Sequence, residues 1–212
     1  MLAFTILITG MVVAIRFLAE NLHPLEIAFF RNLFGLVALV PLVVRNGVQP
    51  LKTRKIGLIG LRGVLNAASL MLFFLAVTLV PVAEIAAYSF TTPLFVTVMA
   101  VLFLQERMGT RRWAGLFLGF LGAMVVLRPG AGAISVGAIY ALGSAAFWAL
   151  TIVVIKILSR SEASVTITFY GVLILIPITF AAALPFWKWP SAEELLWMAL
   201  LGTAWITAQL CL

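Results

Sequence analysis

Ile15-Arg16-Phe17-Leu18, followed after a short polar break by Ile27-Ala28-Phe29-Phe30-Arg31, is a pattern that this chain carries twice. At an offset of 140 residues it returns as Ile155-Lys156-Ile157-Leu158 and then Ile167-Thr168-Phe169-Tyr170-Gly171. In both copies a basic residue stands near the end of one apolar run and an aromatic pair opens the next. At the same offset Leu61-Arg62-Gly63 falls on Leu201-Gly202-Thr203, and Ser69 falls on Gln209. An offset held without a gap across three apolar segments reads as an internal repeat.

The composition sets the solvent. The 212 residues are 64% apolar and 10% charged, with a mean hydropathy of +1.20. A water-soluble domain carries about 25% charged residues, so an aqueous fold is excluded and long charge-poor runs become membrane-spanning helices. The net charge of +7 is the excess of Lys and Arg expected in cytoplasmic loops, not a nucleic-acid surface. One cysteine (Cys211), one histidine (His23) and no aspartate cannot build a disulfide framework or a Cys/His metal site. The N-terminal Met1-Leu2-Ala3-Phe4 has no basic leader and no small-residue cleavage site, so it is expected to stay in the membrane as a helix.

Eight spans follow in order: residues 1–19, 25–44, 56–79, 82–104, 113–127, 136–158, 165–186, and a last one starting near Leu195. The breaks carry turn chemistry at Asn21 to Pro24, Pro81, Pro129-Gly130 and Trp187 to Pro190. Loops after spans 2, 4 and 6 hold Arg45, Lys52, Arg54, Lys55, Arg107, Arg111, Arg112 and Arg160. Loops after spans 1, 5 and 7 hold only Arg128 and Lys188. The basic set belongs in the cytoplasm, which places the N-terminus there as well. A repeat of five spans is odd, so its second copy enters the bilayer upside down, as in inverted-repeat transporters. Two full copies would need about 280 residues, so the second, over 134–212, is expected to be incomplete.

Pro24 to Arg31, Thr91 to Arg107 and Gly115 to Gly130 resemble the EamA-type repeat of the drug/metabolite transporter superfamily. Its pattern has an arginine early in span 2, matched by Arg31, and a basic residue near the end of each repeat's first span, matched by Arg16 and Lys156. A proline within span 4 is matched by Pro93, and a Leu-x-Glu ending by Leu104-Gln105-Glu106. A glycine-rich span 5 ending in Arg-Pro is matched by Gly119, Gly122, Arg128 and Pro129. Members usually have glycine where Gln105 stands. The resemblance implies an all-α polytopic transmembrane bundle, eight helices present of an expected ten, built from two inverted EamA repeats at 1–130 and 134–212. It also implies a central cavity lined by helices 1, 3, 4, 6, 8 and 9, and cytoplasmic termini.

Polar residues recur at helical spacing on five spans: Thr5, Thr9 and Arg16; Arg62, Asn66 and Ser69; Glu84, Tyr88, Thr91 and Thr92; Tyr140, Ser144, Trp148 and Thr151; Thr203 and Thr207. Such rows avoid lipid, so they face a neighbouring helix or a wet cavity. The expected solute site comprises Asn66, Ser69, Tyr88, Thr92, Trp148, Trp205 and Gln209, where the aromatic faces suit a small amphipathic solute. Bridging between packed helices is the alternative role of each Ser, Thr and Asn. Arg31 lies about 9 Å into its helix and needs a partner, water or a path to the headgroups. Glu84 is the expected partner and the acid placed to carry a coupling proton. Arg16 and Lys156 are gate residues or interfacial anchors. Pro93, mid-span, removes a backbone hydrogen bond and forms a hinge or a static kink. Small residues at Gly115, Gly119 and Gly122 allow close helix approach, and in the resembled family such surfaces serve packing or pairing, which leaves a homodimer open.

The function expected is a secondary transporter exporting an amino acid or related small organic solute across the inner (plasma) membrane by alternating access. Its partners would be the bilayer and that solute, with no cofactor. The competing readings are a non-transporting scaffold or inactive shortened product, and an integral membrane enzyme. Catalysis in lipid recruits His, Asp, Glu, Cys or metal ligands, which this chain gathers nowhere in sequence.

Overall fold

A computed structural model describes residues 10, 13–46, 53, 55–105, 109–127 and 135–210. Every regular element in it is helical. They are α1 (residues 13–18), α2 (Pro24–Asn46), α3 (Ile56–Leu79), α4 (Val82–Ser89), α5 (Thr92–Leu104), α6 (Thr110–Leu127), α7 (Val136–Leu158), α8 (Ser164–Ala183) and α9 (Ala192–Leu210), with a 3-10 turn at Leu184–Phe186. Five stretches among the described residues are long and apolar enough to cross a membrane: Pro24–Pro41, Ile56–Leu79, Ala83–Leu104, Val136–Leu158 and Ser164–Phe186.

Local chemistry sets the helix ends. Pro24 opens α2 at the position where a missing N–H costs nothing. Ahead of it, the Glu26 carboxylate accepts the His23 backbone N–H at 3.1 Å, while His23 Nδ1 accepts from the Leu25 N–H at 3.4 Å. Ser135 caps α7 by accepting from the Ala138 N–H at 3.1 Å. Ser191 and Glu194 start α9 as a capping box, each side chain accepting the other's backbone N–H.

Span 4, expected as one helix from Val82 to Leu104, is two. The ladder tightens at Phe90 and Thr91, whose N–H groups donate three residues back to Ala87 and Tyr88. Pro93 then sits in the first turn of α5 and not in mid-helix. A proline ring clashes with the carbonyl four residues earlier, here Ser89, the last residue of α4. Helix α5 ends on Gln105 in the left-handed conformation, φ 52°.

Two helix pairs make the centre. Helix α3 runs along α7, and α2 lies against both α8 and α9, with α3 also touching α8. In lipid the apolar effect does not drive helices together, so close backbone approach and hydrogen bonds must. The seam of α3 and α7 has small residues at Ala67, Ala141, Ala145 and Ala149, all buried. It is closed by Ser69 and Ser144, each hydroxyl donating to the other's backbone carbonyl at 2.9 Å. Gly202 of α9 meets the Arg31 carbonyl and Gly35 N of α2 where its Cβ would be. Helix α6 touches α4 and α5 alone among the larger contacts and turns Phe117, Leu118 and Val125 outward. Outward apolar side chains on this scale fit a lipid neighbour.

The connections gather at two ends. At one, Thr53 Oγ1 donates to Glu162 at 2.9 Å, joining the loops before α3 and after α7. At the other, the Lys188 N–H donates to Glu26, tying the α8–α9 connection to the start of α2. Arg16 Nη1 reaches the Val80 carbonyl at 3.5 Å, tying α1 to the end of α3.

Candidate solute site

Trp148 stands 12 residues into α7 and Trp205 13 residues into α9. At 1.5 Å per residue both lie about 18–20 Å from the same end of the bundle, level with its middle. Their rings meet at 6.1 Å between centroids and 52° between planes, within the range of favourable aromatic pairs. Both side chains are half-buried, leaving ring surface for a third partner.

Arg31 joins this pair. Its guanidinium carbon lies 5.0 Å from the Trp205 ring and 5.4 Å from Phe74 of α3, so two aromatic faces stabilise the cation. The residue is 1% exposed. Its Nη2 donates to Asn32 Oδ1 at 3.1 Å, whereas Arg31 Nε and Asn32 Nδ2 are buried without an acceptor. The expected ion pair with Glu84 is not formed: among the described residues Arg31 has aromatic faces and one amide for company. Glu84 is half-buried in the first turn of α4. Asn32 and Phe74 were not expected here. No periodicity marks them, and they become neighbours only when α2, α3 and α9 converge.

The other expected residues divide. Asn66 is buried on α3 one turn from Ser69. Ser69 is taken up by the reciprocal bridge to Ser144, so its hydroxyl serves helix packing. Thr91 donates back to the Tyr88 carbonyl at 2.6 Å, and Thr203 and Thr207 donate one turn back along α9 from exposed positions. Tyr88 and Thr92 flank the break between α4 and α5, half-buried. Arg16 and Lys156 are exposed. Thr5, Thr9 and the Gln209 side chain lie outside the described residues.

Two further polar centres were not foreseen as such. Arg62, 2% exposed, donates from Nη1 to the Ile167 carbonyl at 2.8 Å. Glu26 is fully buried, its two oxygens accepting from the His23 and Lys188 backbone N–H groups. Sequence position near a helix end suggests a surface acid; the carboxylate at the third helical position, after a proline, was the available sign of a cap. His23 itself stacks on Phe186 at 3.9 Å and 8°. Burial pushes its imidazole below the usual histidine range, against the opposing pull of Glu26.

The sequence profile of the EamA-like transporter family matches residues 1–128. The chain belongs to that family. With several long apolar helices, this EamA-family protein is an integral, multi-pass membrane protein. It is 37% identical over 155 residues to a riboflavin transporter of Brucella anthropi, covering 73% of this chain and 55% of that one. It is 31% identical over 189 residues to an S-adenosylmethionine uptake transporter of Rickettsia conorii, covering 89% and 64%. A pseudopaline exporter of Pseudomonas aeruginosa is 30% identical over 168 residues, 77% of this chain and 59% of that protein. The chain thus spans between about half and two thirds of the length of these relatives. The fold also matches the crystal structure of a protein 19% identical, with a TM-score of 0.67 over 98% of this chain and 78% of the other.

Proposed function

We propose that this EamA-family protein is a secondary transporter carrying a small organic solute across the inner (plasma) membrane by alternating access. The Trp148–Trp205 pair, level with the middle of the bundle and beside the buried Arg31, is the observation that carries this reading. Midplane sites between repeats are where such transporters hold their cargo, and two half-buried indoles offer a flat apolar face with a polar N–H.

Two inverted copies, over 1–130 and 134–212, supply the moving parts. Exchanging the copies at the 140-residue offset turns α2 into α8 and α3 into α9, so contact of α2 with α9 calls for contact of α8 with α3. Both contacts exist, which supports the reading. The N-terminus is cytoplasmic in this scheme, and Thr53 and Glu162 mark the inner end while Glu26 and Lys188 mark the outer.

Relatives named for uptake and for export both match, so direction is a quantity to measure, with export of amino-acid-like solutes as our expectation. The test is flux in proteoliposomes of a labelled panel of aromatic and aliphatic amino acids and riboflavin. At least one solute should cross in a protein-dependent manner and lose most of its flux in Trp148→Ala. No flux for any solute, with the protein folded, favours a scaffold.

A further inference from the structure

We propose that Arg31 and Asn32 form a receptor for a carboxylate on the carried solute, which makes the substrate class an organic anion with a flat apolar body. The inference rests on the transport reading above and adds the charge of the cargo.

A guanidinium offers five N–H donors and no acceptor. The Arg31 guanidinium carbon lies over the rings of Trp205 and Phe74, whose π faces are only weak acceptors of N–H groups. One edge is used by Nη2 on Asn32 Oδ1 at 3.1 Å. That bond also turns the Asn32 amide, directing its NH2 away from the cation. Two donors on adjacent residues therefore remain open in a buried place, Arg31 Nε and Asn32 Nδ2. A buried polar group without a partner is destabilising, and a buried charge without a counter-charge more so.

The chain does not supply the missing acceptor among its described residues. Glu26, one and a half turns earlier on α2, is occupied by the His23 and Lys188 N–H groups. A carboxylate has two oxygens and can accept both open donors in charge-assisted bonds. Trp205 meets both Arg31 and Trp148. A solute lying against the indoles would present a short carboxylate arm to the receptor. Arg62, the other buried arginine, bonds the Ile167 carbonyl and also leaves its Nε open, but no open amide stands on a residue next to it.

The test compares two probes of one shape, indole-3-acetate and its neutral amide, indole-3-acetamide, by equilibrium binding to the full chain in nanodiscs and by flux in proteoliposomes. The acid should bind more tightly by on the order of tenfold, the worth of one charge-assisted hydrogen bond. Arg31→Gln and Asn32→Asp should both erase that preference. Asn32→Asp is the informative variant, because it hands the guanidinium an internal carboxylate and should keep or raise the melting temperature while closing the receptor. Equal binding of acid and amide, or a preference surviving both substitutions, overturns the receptor. Equal binding accompanied by Trp148-dependent flux overturns the receptor alone; no binding and no flux of either probe overturns the receptor and the midplane site together.

Discussion

Arg62 of α3 occupies the space that a side chain on Gly171 of α8 would need: the three atoms nearest a Cβ built there all belong to the Arg62 guanidinium. At the 140-residue offset the relationship has a mirror. Gly171 stands where the first copy has Arg31, and Gly202 stands where it has Arg62. Gly202 in turn is the glycine against which the Arg31 backbone packs. The two buried arginines of the first half, Arg62 by its side chain and Arg31 by its backbone, thus each meet a glycine of the second, toward opposite ends of the bundle.

Gly171→Ala should therefore unseat Arg62 and break its bond to the Ile167 carbonyl. The expected loss is about 1–3 kcal/mol, the cost of a buried donor left without its acceptor. In an Arg62→Met background the same substitution should cost little, because the three nearest atoms, all of the guanidinium, are gone. A double-mutant cycle of melting temperatures in detergent reads the coupling; additive losses would remove the pairing.

Gln105 closes α5 at φ 52°, a conformation disfavoured by about 1–2 kcal/mol for a residue with a Cβ. The glycine common at this place in the family has a physical reason, as glycine reaches that region freely. Gln105→Gly should raise stability by up to about 1 kcal/mol after the entropy of the unfolded chain is counted. Thermal unfolding of the two proteins checks this, and a lower midpoint for the glycine variant would contradict it.

The end of the bundle that holds His23 should loosen in acid. His23 has its pKa lowered by burial, so protonation is harder in the fold than in the unfolded chain. Stability from its neutral form is complete above the ordinary histidine value of about 6.5 and is lost as pH falls through the lowered folded value. A protonated Nδ1 also cannot accept the Leu25 N–H. The protection factors against hydrogen exchange of residues 184–191, held by the His23–Phe186 stack and the Glu26–Lys188 bond, should fall at low pH in the wild type. His23→Phe should flatten that dependence; an unchanged slope would rule out the histidine as its source.

The fold was legible because membrane solvent leaves long runs with few charges. The expected third and sixth spans coincide with α3 and α7, and the ends of those at α2 and α8 differ by one to three residues. The break after Ser89 was missed because a proline in an apolar run looks alike in mid-helix and in a first turn; only the backbone decides. The site was less legible. Trp148 and Trp205 stood out as aromatic residues at mid-span, and they do meet. Asn32, Phe74 and Glu26 did not stand out, since their setting depends on residues far apart in sequence. Arg31 is expected to find an acid and instead lies over two aromatic rings, an arrangement no local spacing encodes.

The inverted arrangement is tested most directly by labelling single cysteines at Thr53 and at Lys188, in a Cys211→Ser background, with an impermeant maleimide on intact cells. Lys188→Cys should react from outside, and Thr53→Cys only after the membrane is permeabilised. Reaction of both from the same side would contradict the account.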